Sequence, residues 1–228
     1  MSRNGLVPER AIGGEAGTMH FLITAGGTRE RIDPVRFISN ASSGRMGYAL
    51  ARAAVKAGHE VTLVTAPTNQ REPKSAEIVR VETAREMFDA VRDNFAASDC
   101  LIMAAAVAGY TAAEPAKAKI KKTAAKLIIR LKPTADILKW AGAHKKKGQL
   151  VVGFALETAR LRQNAERKLR EKNLDMIVAN GPAAIGAEHS TIHIKTSSGP
   201  WSEFAPAKKA VTARRVIRQI EGLLRCRR

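Results

Sequence analysis

Five short runs of the chain are apolar at consecutive rather than alternating positions: HFLITA (20–25), EVTLVT (60–65), DCLIMAAA (99–106), LVVGF (150–154) and LDMIVA (174–179). A strand with one wet face alternates; a strand covered on both faces has no need to. The runs are too short for buried helices, and β-branched residues recur in them. Between them lie segments with helical spacing. Met46, Ala49, Leu50, Ala53 and Ala54 repeat that way after Ser43, a candidate N-cap, and before Gly58, a stop. Thr83 to Glu86 reads as a capping box opening a helix with Ala84, Met87, Phe88, Val91 and Phe95 inward. Strands are further expected over 126–131 and 191–195, and helices over 135–143 and 157–173. Pro206 opens a last helix that buries Ala213, Val216, Ile217, Ile220, Leu223 and Leu224. Strand and helix alternate from residue 20 to 180, which predicts an α/β fold: a mostly parallel sheet with helices on both faces.

The 228 residues suit one domain, expected over 19–228, behind a disordered tail at 1–18. Aromatics are only 4%, so the core is built from Ala, Val, Ile and Leu. No apolar run reaches the roughly 18–20 residues of a membrane span, and the N-terminus lacks the apolar stretch of a secretory signal. Cys100 and Cys226 cannot build a disulfide framework or a cysteine zinc site. A cytoplasmic, reducing setting is expected. The net charge is +18, and it is clustered: residues 115–147 carry eleven Lys/Arg against Asp136, and residues 205–228 carry eight against Glu221. Such an excess implies anionic partners, whether phosphates, nucleic acid or a membrane surface.

The first strand runs into Gly26-Gly27-Thr28, but a dinucleotide fingerprint fits poorly. Ser43 follows Gly26 only seventeen positions on, and the second strand ends in Thr65-Ala66-Pro67 with no acid for a ribose. That argues against a nicotinamide oxidoreductase. The long loop reads better as the site itself, with Asp33, Arg36 and Asn40, then Ser42-Ser43-Gly44 at a helix start that offers N–H groups to an anion. Lys168 and Lys172 share one helix face, where like charges repel unless an anion lies between them. Cys100 sits in an apolar strand as packing, and the five histidines do not cluster for a metal.

Taken together, ITAGGTRE (23–30), IDPVRFISNASSGRMG (32–47), AAAVAGY (104–110), KIKK (119–122), KPTADIL (132–138), VVGFALET (151–158) and KNLDMIVAN (172–180) resemble phosphopantothenate–cysteine ligase. The likeness covers roughly residues 20–224 in order. It implies a Rossmann-like fold with a long active-site loop after the first strand and a flap near 112–124. It implies coenzyme A biosynthesis: 4′-phosphopantothenate and cysteine are joined by an amide through an acyl-nucleotidylate, with CTP as co-substrate and Mg2+ bound with the triphosphate. By the same resemblance Asn40, Arg36 and the flap's Lys119 are catalytic. Ala105, Ala106, Gly109, Lys119, Ala135, Asp136, Ile137, Leu138, Phe154, Lys168 and Lys172 hold the nucleotide. Gly26, Gly27, Thr28, Ser42, Ser43 and Gly44 meet the acidic substrate. No side-chain metal site is implied, and the protein is expected to be a homodimer working beside a separate flavin-dependent decarboxylase.

Three positions depart from the family pattern: Gly109 stands where an Asp is usual, Gly181 follows Asn180 where Asp is usual, and Ala135 replaces a Pro. Loss of the Asp predicts a weaker, less base- or sugar-selective nucleotide site. The Ala- and Lys-rich flap is expected to be loosely held without ligand. The alternative reading is a non-catalytic nucleotide- or nucleic-acid-binding protein on the same fold, favoured by Gly109 and the terminal Arg225, Arg227 and Arg228.

Overall fold

The structure, a computed structural model, describes residues 17–124, 126–184 and 189–227. The expected tail lies outside them apart from Gly17 and Thr18. In chain order the elements are β1 (His20–Ala25), β2 (Arg29–Arg31), β3 (Phe37–Ser39), α1 (Arg45–Lys56), β4 (Glu60–Thr65), β5 (Glu77–Arg80), α2 (Ala84–Phe95), β6 (Cys100–Met103), β7 (Tyr110–Ala112), β8 (Leu131–Pro133), α3 (Ile137–His144), β9 (Leu150–Leu156), α4 (Leu161–Glu171), β10 (Met176–Asn180), β11 (His189–Thr196), β12 (Trp201–Lys208) and α5 (Lys209–Arg225).

Eight strands form one sheet in the order β12-β11-β10-β9-β6-β1-β4-β5. The six from β5 to β10 are parallel and follow the doubly wound order, with the crossover reversing between β1 and β6. β11 and β12 add an antiparallel edge. Successive strand residues serve opposite faces. Phe21, Ile23, Leu63, Ile102 and Val152 pack under α1 and α5, while Leu22, Val64, Leu101, Val151 and Ile177 pack under α2, α3 and α4. The expected two-faced, mostly parallel sheet is what forms.

Several local expectations are corrected. Ser43 does not cap α1: the chain enters through Gly44 at φ 71°, with no side-chain cap, and the Ser43 carbonyl instead accepts from Thr68 Oγ1 at 2.9 Å. The box on α2 is half formed: Thr83 Oγ1 accepts from Glu86 N, but the Glu86 carboxylate reaches the Glu82 N–H. The apolar run after Asp99 leaves the sheet at Met103, because residues 104–106 turn to meet the loop after β1. The expected strand at 126–131 shifts to β8, paired with β7 outside the main sheet. Helix α4 starts only at Leu161, after Arg160 in the left-handed region. Pro206 lies within the edge strand β12 rather than opening a helix. A register shift between Ser190 and Ile192 on β11 sets Ala205 and Pro206 against a single residue, so the missing N–H breaks no ladder. The strands β5 and β12 and the hairpins β2–β3 and β7–β8 have no apolar pattern strong enough to announce them.

A buried carboxylate ties the far edge together. Asp175 accepts from the Val151 N–H and from both Lys145 and Arg227, each at 2.8 Å. Arg227 is thereby committed to the fold, and Arg225 lies 3.9 Å from Glu221; Arg228 is outside the described residues.

Helix α1 comes close to β1 because Gly47 has no side chain. A Cβ there would lie 2.5 Å from Ala25 Cβ and 2.8 Å from Thr24 O. Gly47→Ala is expected to push the helix off the sheet and cost about 1–3 kcal/mol. Gly222→Ala, in open space on α5, gains helix propensity of up to about 1 kcal/mol. Urea denaturation of both variants reads the contrast.

Candidate active-site cleft

The site is set where β1 and β6 run side by side and their following loops part. Gly26, at φ 83°, brings the chain so close to Ala66 that a Cβ would meet its carbonyl at 2.8 Å. From there the two loops are laced together. Ala106 N donates to Gly26 O at 2.8 Å, and Thr28 N donates to Ala106 O at 3.3 Å. Two fully buried threonines extend the seam: Ala105 N donates to Thr24 Oγ1, and Ala108 N to Thr28 Oγ1. Asn40 closes it, its Nδ2 donating to the carbonyls of Ala106 at 3.1 Å and Val107 at 3.2 Å. The amide N–H groups of Ala105 and Ala106, two residues expected to hold the nucleotide, are engaged within the chain.

Two cavities open over the seam. One, of about 510 Å3, is walled by Asn40, the run from Ser42 to Met46 that leads into α1, Phe154, Lys168, Asn180 and Lys209. The other, of about 320 Å3, is walled by Gly109, Ala135, Asp136, Ile137, Leu138 and Lys172. Ala105, Val107, Phe154 and Lys168 line both, so they form one cleft. Of the residues expected at the site, Asn40, Ser42, Ser43, Gly44, Ala106 and those just named line it. Gly26, Gly27 and Thr28 lie beneath as its support. Arg36 and Lys119 line neither cavity.

The polar groups of the smaller cavity are paired across elements. Asp136 caps α3, accepting from Lys139 N, and binds Lys172 at 2.7 Å. Burial alone would raise its pKa, but the Lys172 bond and the cap outweigh that, and the carboxyl titrates below its ordinary value. Lys168 donates to Phe154 O at 2.9 Å. Burial first, and then the charge of Lys172, push its pKa below the usual lysine value, against the pull of Glu157 and Asp136. The repulsion expected between the two lysines is thus present, and Asp136 relieves it on one side.

The flap is held more firmly than its composition suggests. Ala116 N donates to Ile32 O, Ile120 N donates to Asp33 Oδ2, and Arg36 donates to Ile120 O at 2.7 Å. The buried Asp33 also binds Arg36 through both Nε and Nη2. Desolvation opposes its ionisation, yet the N–H groups of Val35, Arg36 and Ile120 and the guanidinium hold it far below the carboxylate range. A carboxyl lowered in the folded state stabilises that state above its ordinary pKa and loses the contribution only as pH falls toward the depressed value. The clamp is therefore intact at neutral pH, with Lys119 exposed beside it. Sequence reading placed Asp33 on the loop without this role, and passed over Lys209, whose only signal was a Lys pair between strand and helix. Asp33→Asn is expected to release the clamp, and faster hydrogen exchange at Ile120 and its neighbours checks it.

The family model described as the DNA/pantothenate metabolism flavoprotein C-terminal domain matches residues 17–224. The chain is 43% identical over 209 residues to the coenzyme A biosynthesis bifunctional protein CoaBC of Bacillus subtilis (strain 168), covering 90% of this chain and 51% of that protein. It is 47% identical over 209 residues to a cysteine/cysteine sulfinic acid decarboxylase of an unknown prokaryotic organism, covering 89% and 58%. The chain thus spans about half the length of these curated relatives. A crystal structure of the C-terminal domain of a CoaBC protein superposes with a TM-score of 0.80 at 39% identity, covering 93% of this chain and 99% of that one.

Proposed function

The chain belongs to the DNA/pantothenate metabolism flavoprotein C-terminal domain family, and from that premise we propose that it is a phosphopantothenate–cysteine ligase. The observation that carries the reading is the two-part cleft, with an amide side chain, Asn40, in one part and Asp136 and Lys172 in the other, and with Lys168 common to both. Such a cleft suits two anionic reactants.

In the first step the carboxylate of 4′-phosphopantothenate attacks the α-phosphorus of CTP; the bond to the β-phosphate oxygen breaks and pyrophosphate leaves. In the second, the cysteine amine attacks the acyl carbon, CMP leaves with the C–O electron pair, and the amine proton passes to solvent. The protein's part is positioning and charge neutralisation. Lys168 and Lys172 neutralise the triphosphate, Phe154 packs near the base, and Ala135 to Leu138 wall the nucleotide. The Asn40 N–H groups turn from the Ala106 and Val107 carbonyls to the acyl-nucleotidylate. Arg36 anchors the flap through the Ile120 carbonyl, and the flap carries Lys119 to the intermediate. Magnesium would travel with the phosphates, since Asp136, the one carboxylate that lines the cleft among the described residues, is paired with Lys172. When bound it offsets charge on the departing pyrophosphate.

Val35, Phe37, Tyr110 and Leu131, on or beside the two small hairpins, and Leu127 and Ile128 near them, are large apolar side chains left exposed. This supports a homodimer through that surface, which light scattering reads directly. Among the described residues no helix is long and apolar enough to cross a membrane, and we place the enzyme in the cytoplasm beside a flavin-dependent decarboxylase that consumes its product.

Pyrophosphate release with phosphopantothenate, cysteine and each nucleoside triphosphate tests the reading; no release with any of them overturns it. Asn40→Asp, which sets a carboxylate against the seam carbonyls and the intermediate, is expected to slow amide formation about 100–1000-fold and spare pyrophosphate formation in part. A wild-type rate of amide formation removes the assignment.

Lys168 carries a pH signature. A bound polyanion favours its charged form and raises the lowered pKa, so binding takes up a proton at pH values between the free and bound pKa values. Affinity then falls as pH rises through the free value. Titration calorimetry of CTP in buffers of differing ionisation heat measures the uptake, and Lys168→Gln is expected to abolish it.

Gly109 lines the nucleotide part of the cleft, and a Cβ there would meet nothing within 4 Å. Gly109→Asp therefore has room, and it is expected to tighten CTP binding about 10- to 150-fold by restoring a charged acceptor. Equal CTP affinities of the two proteins would show the departure to be harmless.

A further inference from the structure

An amino acid meets the enzyme with its amine mostly as an ammonium, which has no lone pair to attack with. Amide formation therefore needs a base beside the acyl carbon. With the acid in the larger cavity and the nucleotide in the smaller, the mixed anhydride that joins them spans the junction of the two. Ala105, Val107, Phe154 and Lys168 line both cavities. Of these four, Lys168 alone has a titratable side chain.

The other titratable residues of the cleft are Arg45, Asp136, Lys172 and Lys209; among the described residues that line it there is no His, Cys, Tyr or Glu. Arg45 does not give up its proton. Asp136 and Lys172 are spent on each other at 2.7 Å, and the Asp136 carboxyl titrates below its ordinary value. Lys209, whose pKa is lowered by burial first and then by the Arg45 charge, lines the larger cavity alone. Lys119 lines neither. The surroundings of Lys168 suit a group that must lose and regain a proton. Among the described residues its Nζ has one hydrogen-bond partner, the Phe154 carbonyl, which accepts from an amine or an ammonium. The charges that face it are Lys172 on α4, Glu157 just after β9 and Asp136 before α3, with Arg45 and Lys209 lining the larger cavity. Burial and Lys172 outweigh the two acids, so its pKa is lowered.

We propose that Lys168 is the general base of the second step, its Nζ taking a proton from the cysteine ammonium so that the amine can attack the acyl carbon. The inference rests on the ligase reading and deepens it. Until the first step is over, the triphosphate favours the charged lysine. Departure of pyrophosphate removes that charge, and Nζ sheds its proton to solvent. The cysteine ammonium then gives Nζ one proton, and the freed lone pair forms the N–C bond. The adduct's second proton passes to solvent as the C–O bond breaks and CMP leaves with the electron pair. The Lys168 ammonium so formed stands beside the phosphate as that group gains a negative charge. One side chain thus serves as base for the amine and as counterion for the leaving group.

Rapid-quench kinetics on the full chain test this. The acyl-nucleotidylate is formed from 4′-phosphopantothenate and CTP without cysteine, then chased with cysteine or with hydroxylamine across a range of pH. Hydroxylamine is neutral at pH 7 and needs no base to attack. In the natural protein the cysteine rate is expected to rise with pH through the lowered Lys168 pKa, and the hydroxylamine rate to lack that limb. Lys168→Arg keeps the charge and removes the base. It is expected to slow amide formation with cysteine about 100- to 10,000-fold and to abolish the limb, while hydroxamate formation falls far less. Lys168→Gln should show the same split and serves if the arginine variant does not fold. The proposal is overturned if the substitution slows both nucleophiles alike, since Lys168 then only holds the intermediate. It is also overturned if the cysteine rate and its limb survive the substitution, or if the natural protein shows the same limb with hydroxylamine. Hydroxamate formed by the natural protein upholds the ligase reading whatever Lys168 does. If neither hydroxamate nor pyrophosphate appears with any nucleoside triphosphate, that reading is overturned and this inference falls with it.

Discussion

The backbone seam between the loops that follow β1 and β6 holds the site in one piece. These two strands lie at the point where the winding of the sheet reverses, so their loops diverge and would leave an open crevice. The bonds from Ala106 N to Gly26 O and from Thr28 N to Ala106 O, with Thr24 and Thr28 beneath, close its floor. Every wall of the cleft is referred to that floor. Asn40 is docked on it, α1 starts beside Gly26, and Thr134 Oγ1, leading into α3, donates to Ala108 O at 2.7 Å. The polar groups are consumed inside the seam because a buried amide or carbonyl without a partner is costly. What remains for a ligand is side chains and shape.

Charge is handled in the same economical way. Much of the surplus of cations lies exposed, as along 117–132, but a few are built into the fold. Arg36 is committed to Asp33, Lys145 and Arg227 to Asp175, and Lys172 to Asp136. Lys168 and Lys209 are partly withdrawn from water, Lys168 donating to the Phe154 carbonyl and Lys209 to Ser190 Oγ. The lowered pKa values of these two lysines are the electrostatic record of that arrangement.

The sequence made the sheet legible because consecutive apolar residues admit few alternatives. It made the cleft's residue types legible through the loop at 32–47 and the lysine pair on α4. It hid whatever depends on contacts distant along the chain. Asp33 is an ordinary acid until Ile120, 87 positions on, donates to it. Lys209 is one of a Lys pair until α5 lies beside α1. Pro206 reads as a helix opener because its tolerance inside β12 requires the irregular register with β11. The cap at Gly44 displaced Ser43 for a similar reason: the approach to β1 demanded a left-handed residue, and that outweighed a side-chain hydrogen bond.

The covering of one face by α1 and α5 bears on how the chain is made. α1 follows the first strand of the sheet and α5 its last, and they share a single apolar face of the sheet. During synthesis α1 emerges well before α5. Until α5 is made, Val216, Ile217 and Ile220 are missing from the layer over Met176, Val178 and Ile194, which the folded protein buries completely or nearly so. A nascent chain that has completed its parallel strands therefore still presents an oily half-face to water. Native packing on that side waits for α5, and the interval before it emerges is when those strands are most exposed to aggregation.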